Sequence, residues 1–356
     1  MVKGRKKMPV QIVDLFCGIG GLTRGLINSG LNVIAGFDID PTCQYTYEHS
    51  NHVSYNIRNI RDIDGNQINN LYSDDATKIL VGCAPCQPFS QLRSKYGEAN
   101  TLDEKYDLLL EYGRIIREVH PQVLSMENVP QIENTSIFRE FLNILDENGY
   151  EKDYHIIYCP DYGIPQTRRR FVLVASILGP ISLIEPTHNR KDIHVRDFIG
   201  NLPPIAAGET DKNDPLHRAA GLSDLNLQRI RHSRPGGTWR DWPINLRCNC
   251  HKKDSGQSYS SVYGRMTWGQ IGPTITTQFY NYGTGRYGHP EQDRALSLRE
   301  GALLQTFPRD YAFINPECNY SFNDIARQIG NAVPVRLGEV IGISISRHLT
   351  EHGLVV

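Results

Sequence analysis

Residues 10–30, VQIVDLFCGIGGLTRGLINSG, decide the fold. The apolar run at 10–16 predicts a β-strand, and residues 21–30 have the apolar spacing of a helix that ends at a glycine. The turn between them contains Gly18, Gly20 and Gly21. Glycines permit a tight turn and let a ligand approach the backbone closely. A strand, a glycine turn and a helix are the first half of a parallel βα unit.

The same alternation of apolar strands and helical patterns continues through the first half of the chain. Further strands are predicted at 32–40, 78–85, 122–130, 151–160 and 169–176, and helices at 106–120 and 136–150. Strands that alternate with helices predict a parallel sheet covered by helices. The expected fold class is therefore α/β, with a doubly wound, mostly parallel sheet that binds ligands at the carboxyl ends of its strands.

Asp38 lies at the end of the second predicted strand. A carboxylate at that place accepts hydrogen bonds from ribose hydroxyls. The glycine turn is not a complete G-x-G-x-x-G and lacks the Lys-Ser/Thr of a phosphate-binding loop. These features indicate a cofactor of the adenosine type whose phosphates, if any, are not held by a long glycine loop. A purely structural turn is the alternative.

Residues 81–90, VGCAPCQPFS, contain a Cys-x-x-Cys pair, Cys83 and Cys86. This spacing serves dithiol chemistry and metal binding alike. A redox pair normally begins at a helix N-terminus, whereas Pro85, Pro88 and the polar residues that follow predict a loop. We therefore interpret Cys86 as an exposed nucleophile and Cys83 as strand packing.

A zinc site is the alternative reading of these cysteines. It would join Cys83 and Cys86 to Cys248, Cys250 and His251, whose Cys-x-Cys-His spacing matches common zinc knuckles poorly. The sequence therefore predicts no metal.

Two further motifs carry charged side chains at the ends of predicted strands. SMENVP (125–130) puts Glu127 at the end of a strand, where an acid could protonate a ring nitrogen while a thiol attacks the ring. In IPQTRRRFVLVA (164–175), strand alternation sends Arg168 and Arg170 to one face, where they suit phosphate or a carbonyl oxygen. The alternatives are a carboxylate that caps a turn and a solvated strand edge.

Residues 181–290 are rich in Pro, Gly, Asn, Arg and Trp and have weak periodicity, which predicts a separate, irregular domain. The expected domains are 1–180, 181–290 and 291–356, and the last of them completes the first. Regular structure returns at 296–307 and in a helix predicted at 331–349.

The formal charge of the whole chain is −1, which by itself does not indicate a polyanionic partner. The stretch 227–253 is locally basic, with Arg229, Arg231, Arg234, Arg240, Arg247, Lys252 and Lys253 against only Asp241. Such a patch can bind phosphates, and a merely solvated basic loop is the alternative.

The composition is that of an ordinary globular protein. Eight cysteines in 356 residues, in no regular framework, fit reduced thiols better than disulfides. There is no run of 18 apolar residues, and the N-terminal segment lacks the apolar region of a signal peptide. We therefore expect a cytoplasmic location and no contact with a membrane.

Six stretches, in this order, resemble the DNA (cytosine-5) methyltransferase family. They are DLFCGIGG (14–21), GCAPCQPFS (82–90), MENVP (126–130), IPQTRRRFV (164–172), RALSLREGALLQTFP (294–308) and QIGNAVP (328–334). The matches run from residue 10 to about 345 and leave only 181–270 without a shared pattern. The resemblance implies methyl transfer from S-adenosylmethionine to C5 of cytosine in double-stranded DNA, with 181–290 as the target-recognition domain.

The resemblance also implies the catalytic roles. Cys86 would add to C6 of cytosine, Glu127 would stabilise N3 during that addition, and Arg168 and Arg170 would contact the nucleotide and the surroundings of the thiol. A cytosine in a duplex must flip out to reach a buried thiol. The polar segment 90–107 fits a mobile loop that closes over it.

The resemblance also implies which residues contact the cofactor and the DNA. The cofactor-binding residues would be Phe16, Gly18, Gly20, Asp38 at the ribose, Ile39 at the adenine, Leu108, Asn331 and Val333. The last two require the C-terminal helix to return beside the first strand. The residue at the adenine amine is left open between Asn59 and Asp62. DNA would be bound by Gln87, Ser90, Arg234, Trp239, Arg240 and Thr276, together with Trp242.

The resemblance further suggests a bacterial, nucleoid-associated monomer that is the modification half of a restriction system. A cognate endonuclease would act on the same site without touching this chain. A tRNA cytosine methyltransferase of the same fold is one alternative, and the long 181–290 region favours duplex DNA over it. A nicotinamide oxidoreductase would leave Cys86 and Glu127 unexplained, and a non-catalytic DNA-binding relative would not need them.

Overall fold

A computed structural model describes residues 9–85, 107–256 and 258–354. Seven strands in these residues form one sheet. They are β1 (Val10–Leu15), β2 (Val33–Asp38), β3 (Ser54–Ile57), β4 (Thr77–Gly82), β5 (Val123–Asn128), β6 (Glu151–Tyr158) and β7 (Arg169–Ser176). Their spatial order is β3-β2-β1-β4-β5-β7-β6.

The sheet is parallel from β3 through β5, and β7 is antiparallel to both of its neighbours. This confirms the predicted α/β fold with a mostly parallel sheet. The strand order reverses between β1 and β4, and ligands bind outside the carboxyl ends of strands at such a point. Strand β3 was not predicted from the sequence, because only one of its four residues is buried and the strand forms no apolar run.

Helices follow most of the strands. In the first half of the chain they are α1 (Gly21–Asn28), α2 (Gln44–Asn51), α3 (Gly65–Asn69), α4 (Leu108–Val119) and α5 (Ser136–Glu147). In the second half they are α6 (Val195–Ile199), α7 (Asp224–His232), α8 (Leu298–Leu304), α9 (Phe322–Asn331) and α10 (Val335–Glu351). The apolar faces of α4 and α5 join the sheet in one core, which includes Tyr112, Ile116, Phe138 and Phe141.

The C-terminal helix differs from its predicted limits. A helix was expected over 331–349, but α9 ends at Asn331 and α10 begins only at Val335. Pro334 explains the break, because proline donates no backbone hydrogen bond and disfavours helical geometry in the residue before it.

Two glycines let α10 cross α1 at close range. A Cβ atom added to Gly25 would lie 2.3 Å from the carbonyl oxygen of Val335, and one added to Gly338 would lie 2.8 Å from that of Leu22. The Nδ2 of Asn28 also donates a hydrogen bond to Glu339, at 2.8 Å. The C-terminal helix therefore returns to the helix that follows β1, as the sequence analysis required.

We expect Gly25→Ala to destabilise the protein by about 1–3 kcal/mol, because the new methyl group overpacks the contact with α10. Alanine stabilises a helix by about 1 kcal/mol relative to glycine, so a loss of stability in this variant must come from the packing. The measurement is the thermal unfolding midpoint. Gly221→Ala is the control, since a Cβ there meets no atom within 4 Å. An equal or higher midpoint for Gly25→Ala would contradict this packing.

The chain divides into two compact units. The first comprises the chain up to Tyr158, Arg169–Pro186 and the segment from Val333 onward, and the second comprises Cys159–Arg168 and Thr187–Ala332. The second unit thus continues past residue 290 and contains α8 and α9, so its limits differ from the expected domain limits. The functions assigned to the domains stay predictions.

Each unit has its own core. In the second unit Trp239, Trp242 and Tyr282 form an apolar cluster with Ile230, Leu246 and Ala295. The unit also buries an ion pair, in which both terminal nitrogens of Arg294 donate to Glu300 at 2.7 and 2.8 Å. Burial alone would raise the pKa of Glu300, but Arg294 outweighs it and lowers this pKa to about 2. This pair gives RALSLREG (294–301) a structural role.

In the ranges that the structure describes, no helix combines the length and the apolar composition needed to span a membrane.

Candidate active site

The turn between β1 and α1 has a strained backbone. Gly18 and Gly20 have φ values of 51° and 82°, and Phe16 has a φ of 58°. A positive φ is uncommon for a residue other than glycine and for an aromatic side chain is costly. The chain nevertheless holds Phe16 in this conformation at the carboxyl end of β1, where the sequence predicts a cofactor.

Asp38 ends β2 and closes this turn. One oxygen of its carboxylate accepts a hydrogen bond from the backbone N–H of Gly18, at 2.8 Å, and the other accepts one from the N–H of Asp40, at 3.0 Å. Burial raises the pKa of Asp38, while the backbone hydrogen bonds oppose that rise. Each oxygen keeps acceptor capacity for a ligand, and the side chain of Ile39 beside it is 64% exposed. A carboxylate next to an exposed apolar residue fits a ribose and an aromatic base.

A buried network behind the turn was missed by the sequence analysis. The hydroxyl of Thr23 on α1 donates to Asp14 on β1 at 2.6 Å and lies 3.0 Å from the hydroxyl of Tyr47 on α2. Burial raises the pKa of Asp14 to about 7, although the hydrogen bond from Thr23 lowers it. The sequence feature that could have indicated this network is Asp14, an acidic residue inside an otherwise mostly apolar strand. The network braces the turn that carries Gly18 and Gly20.

Three other predicted cofactor residues lie in different surroundings. Leu108 begins α4 and is buried in the first unit, and Val333 is buried in the same unit. Asn331 is exposed at the end of α9 in the second unit. Their cofactor roles stay predictions.

The residue predicted at the adenine amine remains open. The side-chain oxygen of Asn59 caps a single helical turn by accepting a hydrogen bond from the N–H of Arg61 at 3.2 Å, and Asp62 is exposed.

The ends of β4 and β5 hold the second group of site residues. Cys83 follows the last residue of β4, and its thiol donates a hydrogen bond to Glu127 at 2.9 Å. The Nδ2 of Asn128 donates to the carbonyl oxygen of Ala84 at 3.1 Å. The interpretation of Cys83 as strand packing is therefore wrong, because the strand ends at Gly82 and the thiol turns to a neighbouring strand.

Glu127 is 3% exposed and has a cationic partner. The Nε of Arg170, on the adjacent strand β7, lies 2.8 Å from its carboxylate. This ion pair offsets the cost of burying the charge. The sequence did not predict this pair, which arises because β7 inserts antiparallel beside β5. Cys86, Gln87, Ser90 and most of the 90–107 loop lie outside the described residues.

Arg168 is not the strand partner of Arg170 that alternation predicted. The strand begins only at Arg169, and Arg168 belongs to the second unit. Its guanidinium is buried and donates to the carbonyl oxygen of Ile275 at 2.9 Å. A contact with the substrate nucleotide stays a prediction for this residue.

A buried amide pair, also missed from the sequence, braces the same part of the second unit. The Nε2 of Gln166 donates to the side-chain oxygen of Gln305 at 2.7 Å, and its Oε1 accepts a hydrogen bond from the N–H of Ile275 at 2.9 Å. Gln305 in turn donates to the carbonyl oxygen of Ile329 at 2.7 Å. These contacts join IPQTRRRFV, LLQTFP and QIGNAVP, three stretches that are far apart in sequence.

The basic stretch of the second unit divides into exposed and structural arginines. Arg234 is 80% exposed in its side chain, and Arg240 is exposed over the ring of Trp239. Arg229, by contrast, donates to the carbonyl oxygen of Leu246 at 2.9 Å and lies over the ring of Trp242. The stretch is therefore only partly available for phosphates.

The two tryptophans proposed to read bases are core residues. Trp239 is 0% exposed and its indole N–H donates to the carbonyl oxygen of Tyr259 at 2.8 Å. Trp242 is also buried and donates to the hydroxyl of Ser233 at 2.7 Å. Direct base contact is thus corrected to a supporting role, because both rings are enclosed by their own unit.

Two other side chains of this unit, Thr276 and His251, differ in their exposure. Thr276 is exposed, with its hydroxyl 3.1 Å from that of Tyr287, and its backbone packs against Gly330. His251 is buried and stacks on Trp239 with ring centres 4.2 Å apart. Burial lowers the pKa of His251, and Arg229 and Arg247 act in the same direction. This imidazole therefore adds no positive charge to the basic stretch near neutral pH.

Comparisons with known proteins agree with this geometry. The sequence profile described as C-5 cytosine-specific DNA methylase matches residues 10–347. The chain is 52% identical over 342 residues to the Type II methylase M.HgiDII of Herpetosiphon aurantiacus, covering 95% of each protein. It is 29% identical over 347 residues to the Type II methyltransferase M.Eco47II of Escherichia coli, covering 94% of this chain and 78% of that protein.

Solved structures resemble the chain over nearly its whole length. The methyltransferase EhMeth of Entamoeba histolytica has a TM-score of 0.68 at 17% identity, with 96% of this chain and 99% of that chain covered. A variant of DNMT2 from Spodoptera frugiperda has a TM-score of 0.63 at 18% identity, with 94% and 99% covered. At such low identity these likenesses show the fold alone.

Proposed function

We propose that this chain, a DNA (cytosine-5)-methyltransferase that belongs to the C-5 cytosine-specific DNA methylase family, modifies one cytosine within a specific duplex sequence. The proposed mechanism is base flipping followed by covalent catalysis. The observation that carries the proposal is Glu127, a buried carboxylate held by Cys83 and Arg170 at the end of β5. Cys86 follows only three residues after Cys83 in the sequence.

The proposed reaction begins with attack by Cys86. Its thiolate sulfur forms a bond to C6 of the flipped cytosine, while N3, where negative charge develops, takes a proton from Glu127 and returns it when the sulfur leaves. C5 becomes nucleophilic and takes the methyl group that S-adenosylmethionine would supply, which leaves S-adenosylhomocysteine. A base then removes the C5 proton, and the electron pair expels the sulfur, so that the free thiolate is restored. Arg170 keeps the carboxylate of Glu127 oriented throughout, because the two groups form a buried ion pair.

The cofactor implied by the family and the fold is S-adenosylmethionine, which supplies an electrophilic methyl group when bound. The residues of the first unit fit this molecule: Asp38 offers acceptors for the ribose hydroxyls, and exposed Ile39 offers an apolar surface for the adenine. Phe16, Gly18 and Gly20 bring the backbone of the turn close to the ligand. Leu108 is proposed to contact the cofactor, and Asn331 and Val333 to close its methionine end.

Asp38→Ala should weaken S-adenosylmethionine binding by about 10- to 100-fold, because two hydrogen bonds to a charged acceptor are lost. Calorimetric titration with the cofactor measures this change. Asp74→Ala is the matched control, since Asp74 is an exposed acid that precedes the amino-terminal end of β4, whereas Asp38 lies at the carboxyl end of β2. If both variants bound the cofactor equally well, Asp38 would not be a ribose ligand.

Duplex DNA is the proposed macromolecular partner, through the exposed Arg234 and Arg240, through Thr276 and through Gln87 and Ser90. The Type II names of M.HgiDII and M.Eco47II support the modification half of a restriction system. On this proposal the chain acts as a monomer on nucleoid DNA in a bacterium, and a cognate endonuclease acts on the same site without contacting it. Family membership argues against a nicotinamide oxidoreductase.

The test is methyl transfer from S-adenosylmethionine labelled in its methyl group. Genomic DNA, a library of random duplexes and bulk tRNA are offered in separate reactions. We expect label in the duplexes, with bisulfite sequencing locating one cytosine in a recurrent site. Label in tRNA with none in any duplex would favour the tRNA methyltransferase instead. Cofactor binding without transfer to either substrate would favour a non-catalytic DNA-binding relative.

A further inference from the structure

Three metal-ligating side chains converge in the second unit, away from the catalytic residues in the sequence. The sulfur atoms of Cys248 and Cys250 and a ring nitrogen of His251 all lie within 4.8 Å of one another. Zinc binds thiolate at about 2.3 Å and imidazole at about 2.0 Å, so its tetrahedral ligands lie roughly 3.5–3.8 Å apart. A single ion therefore fits among the three atoms after small side-chain movements.

Packing holds these ligands in place. The ring of His251 is stacked on Trp239 and meets the edge of Tyr263 with centres 5.9 Å apart. The hydroxyl of Tyr263 also lies 3.8 Å from the sulfur of Cys248. A single helical turn over Asn249–Lys252 carries Cys250 and His251. The core of the unit thus orients the imidazole and one thiol toward each other, which a solvated loop would not do.

Two arginines lie over the aromatic rings that pack against the cluster. The guanidinium of Arg229 lies 5.6 Å from the ring centre of Tyr263, and that of Arg247 lies 5.7 Å from the ring centre of Trp239. Zinc binds the thiolate form of cysteine. Two thiolates and one divalent ion are neutral together. Soft sulfur ligands with one imidazole select zinc over calcium or magnesium.

We propose that Cys248, Cys250 and His251 bind a zinc ion, with solvent as the fourth ligand. The sequence predicts no metal here because the Cys-x-Cys-His spacing matches common zinc knuckles poorly, and the proposal rests instead on the convergence of the three side chains. The structure gives Cys83 a different role, because its thiol binds Glu127. Cys248, Cys250 and His251 lie within four consecutive residues. All three belong to the second unit, so the proposed site takes no ligand from the first unit.

The ion would stabilise part of the basic stretch. It would tie the turn Asn249–Lys252 to Trp239, on whose ring the guanidinium groups of Arg240 and Arg247 lie. Arg240 belongs to the surface proposed to bind DNA, and Arg247 lies in the same basic stretch. Loss of the metal is therefore expected to weaken duplex binding while it leaves cofactor binding by the first unit unchanged.

The test measures metal directly, so it does not depend on methyl transfer. The full chain is purified under reducing conditions, and its zinc content is determined by plasma mass spectrometry. We expect about one zinc per chain, with two protons released on binding to thiols. Cys248→Ser and Cys250→Ser should lose the metal. Cys318→Ser should keep it, because Cys318 is an exposed cysteine of the same unit outside the cluster.

Cobalt addition to the metal-free wild-type protein provides a second measurement that needs no variant to fold. Bound cobalt should give thiolate charge-transfer bands and the visible bands of a tetrahedral site. The proposal is overturned if the reduced wild type contains no zinc and shows no such bands. It is also overturned if both cysteine variants keep the metal, or if Cys248 and Cys250 form a disulfide in the native enzyme.

Discussion

Replacing Cys86 by serine is expected to reduce methyl transfer by roughly 10⁴- to 10⁶-fold, the range found when a catalytic nucleophile is removed. A hydroxyl has a much higher pKa than a thiol and is a far weaker nucleophile toward C6. Binding of S-adenosylmethionine should be unchanged, because Cys86 is not among the proposed cofactor residues, of which Phe16 and Asp38 lie at the ends of β1 and β2. The measurement is single-turnover transfer to a duplex that contains the target site.

Trapping with 5-fluorocytosine tests the covalent step itself. Fluorine at C5 cannot leave as a cation, so elimination is blocked after the methyl group has been transferred. Wild type should form a complex with the duplex that resists denaturation, and Cys86→Ser should not. Cys318→Ser is the control and should still form it, because Cys318 is an exposed cysteine of the second unit. A complex with Cys86→Ser would assign the nucleophile to another residue.

Glu127→Gln is expected to lower the turnover number by about 10²- to 10⁴-fold, the usual contribution of a positioned acid or base. Glutamine keeps the shape of the side chain but removes the charge that pairs with Arg170 and the proton-transfer capacity proposed for N3. The affinity for S-adenosylmethionine should not change. Single-turnover rates at saturating duplex and cofactor give the value.

The control for this variant is Glu133→Gln. Glu133 is an exposed acid in the helical turn that follows β5, only six residues along the chain. Its replacement should leave turnover unaltered. Thermal unfolding of both variants separates a lost chemical role from a lost ion pair. Unchanged turnover of a folded Glu127→Gln variant would remove Glu127 from the proposed mechanism.

Local patterns determined much of the first unit. The limits of β1, β2, β4 and β5 agree with the predicted strands within a few residues, because each is a short apolar run with a turn at its end. Asp38 and Glu127 could be assigned to the rim of the sheet for the same reason. In a parallel sheet, the end of a strand in sequence is also a fixed place in space.

These local patterns could not predict which distant segments of the chain pack together. The sequence could not indicate that β7 inserts between β5 and β6, and so it could not pair Arg170 with Glu127 on adjacent strands. Trp239 and Trp242 were expected at the DNA, but an apolar cluster of their own unit encloses them. Burial is set by which distant segments meet, and spacing along one segment does not contain that information.

The sequence by itself therefore determined the fold class, the chemistry of the family and the strand ends that carry Asp38 and Glu127, since these depend on local periodicity and ordered motifs. Only the tertiary structure decided that Cys83 binds Glu127, that Thr23 and Tyr47 enclose Asp14, and that Cys248, Cys250 and His251 converge. Those contacts depend on distances of a few ångströms between side chains, which register, helix crossing and side-chain packing set together.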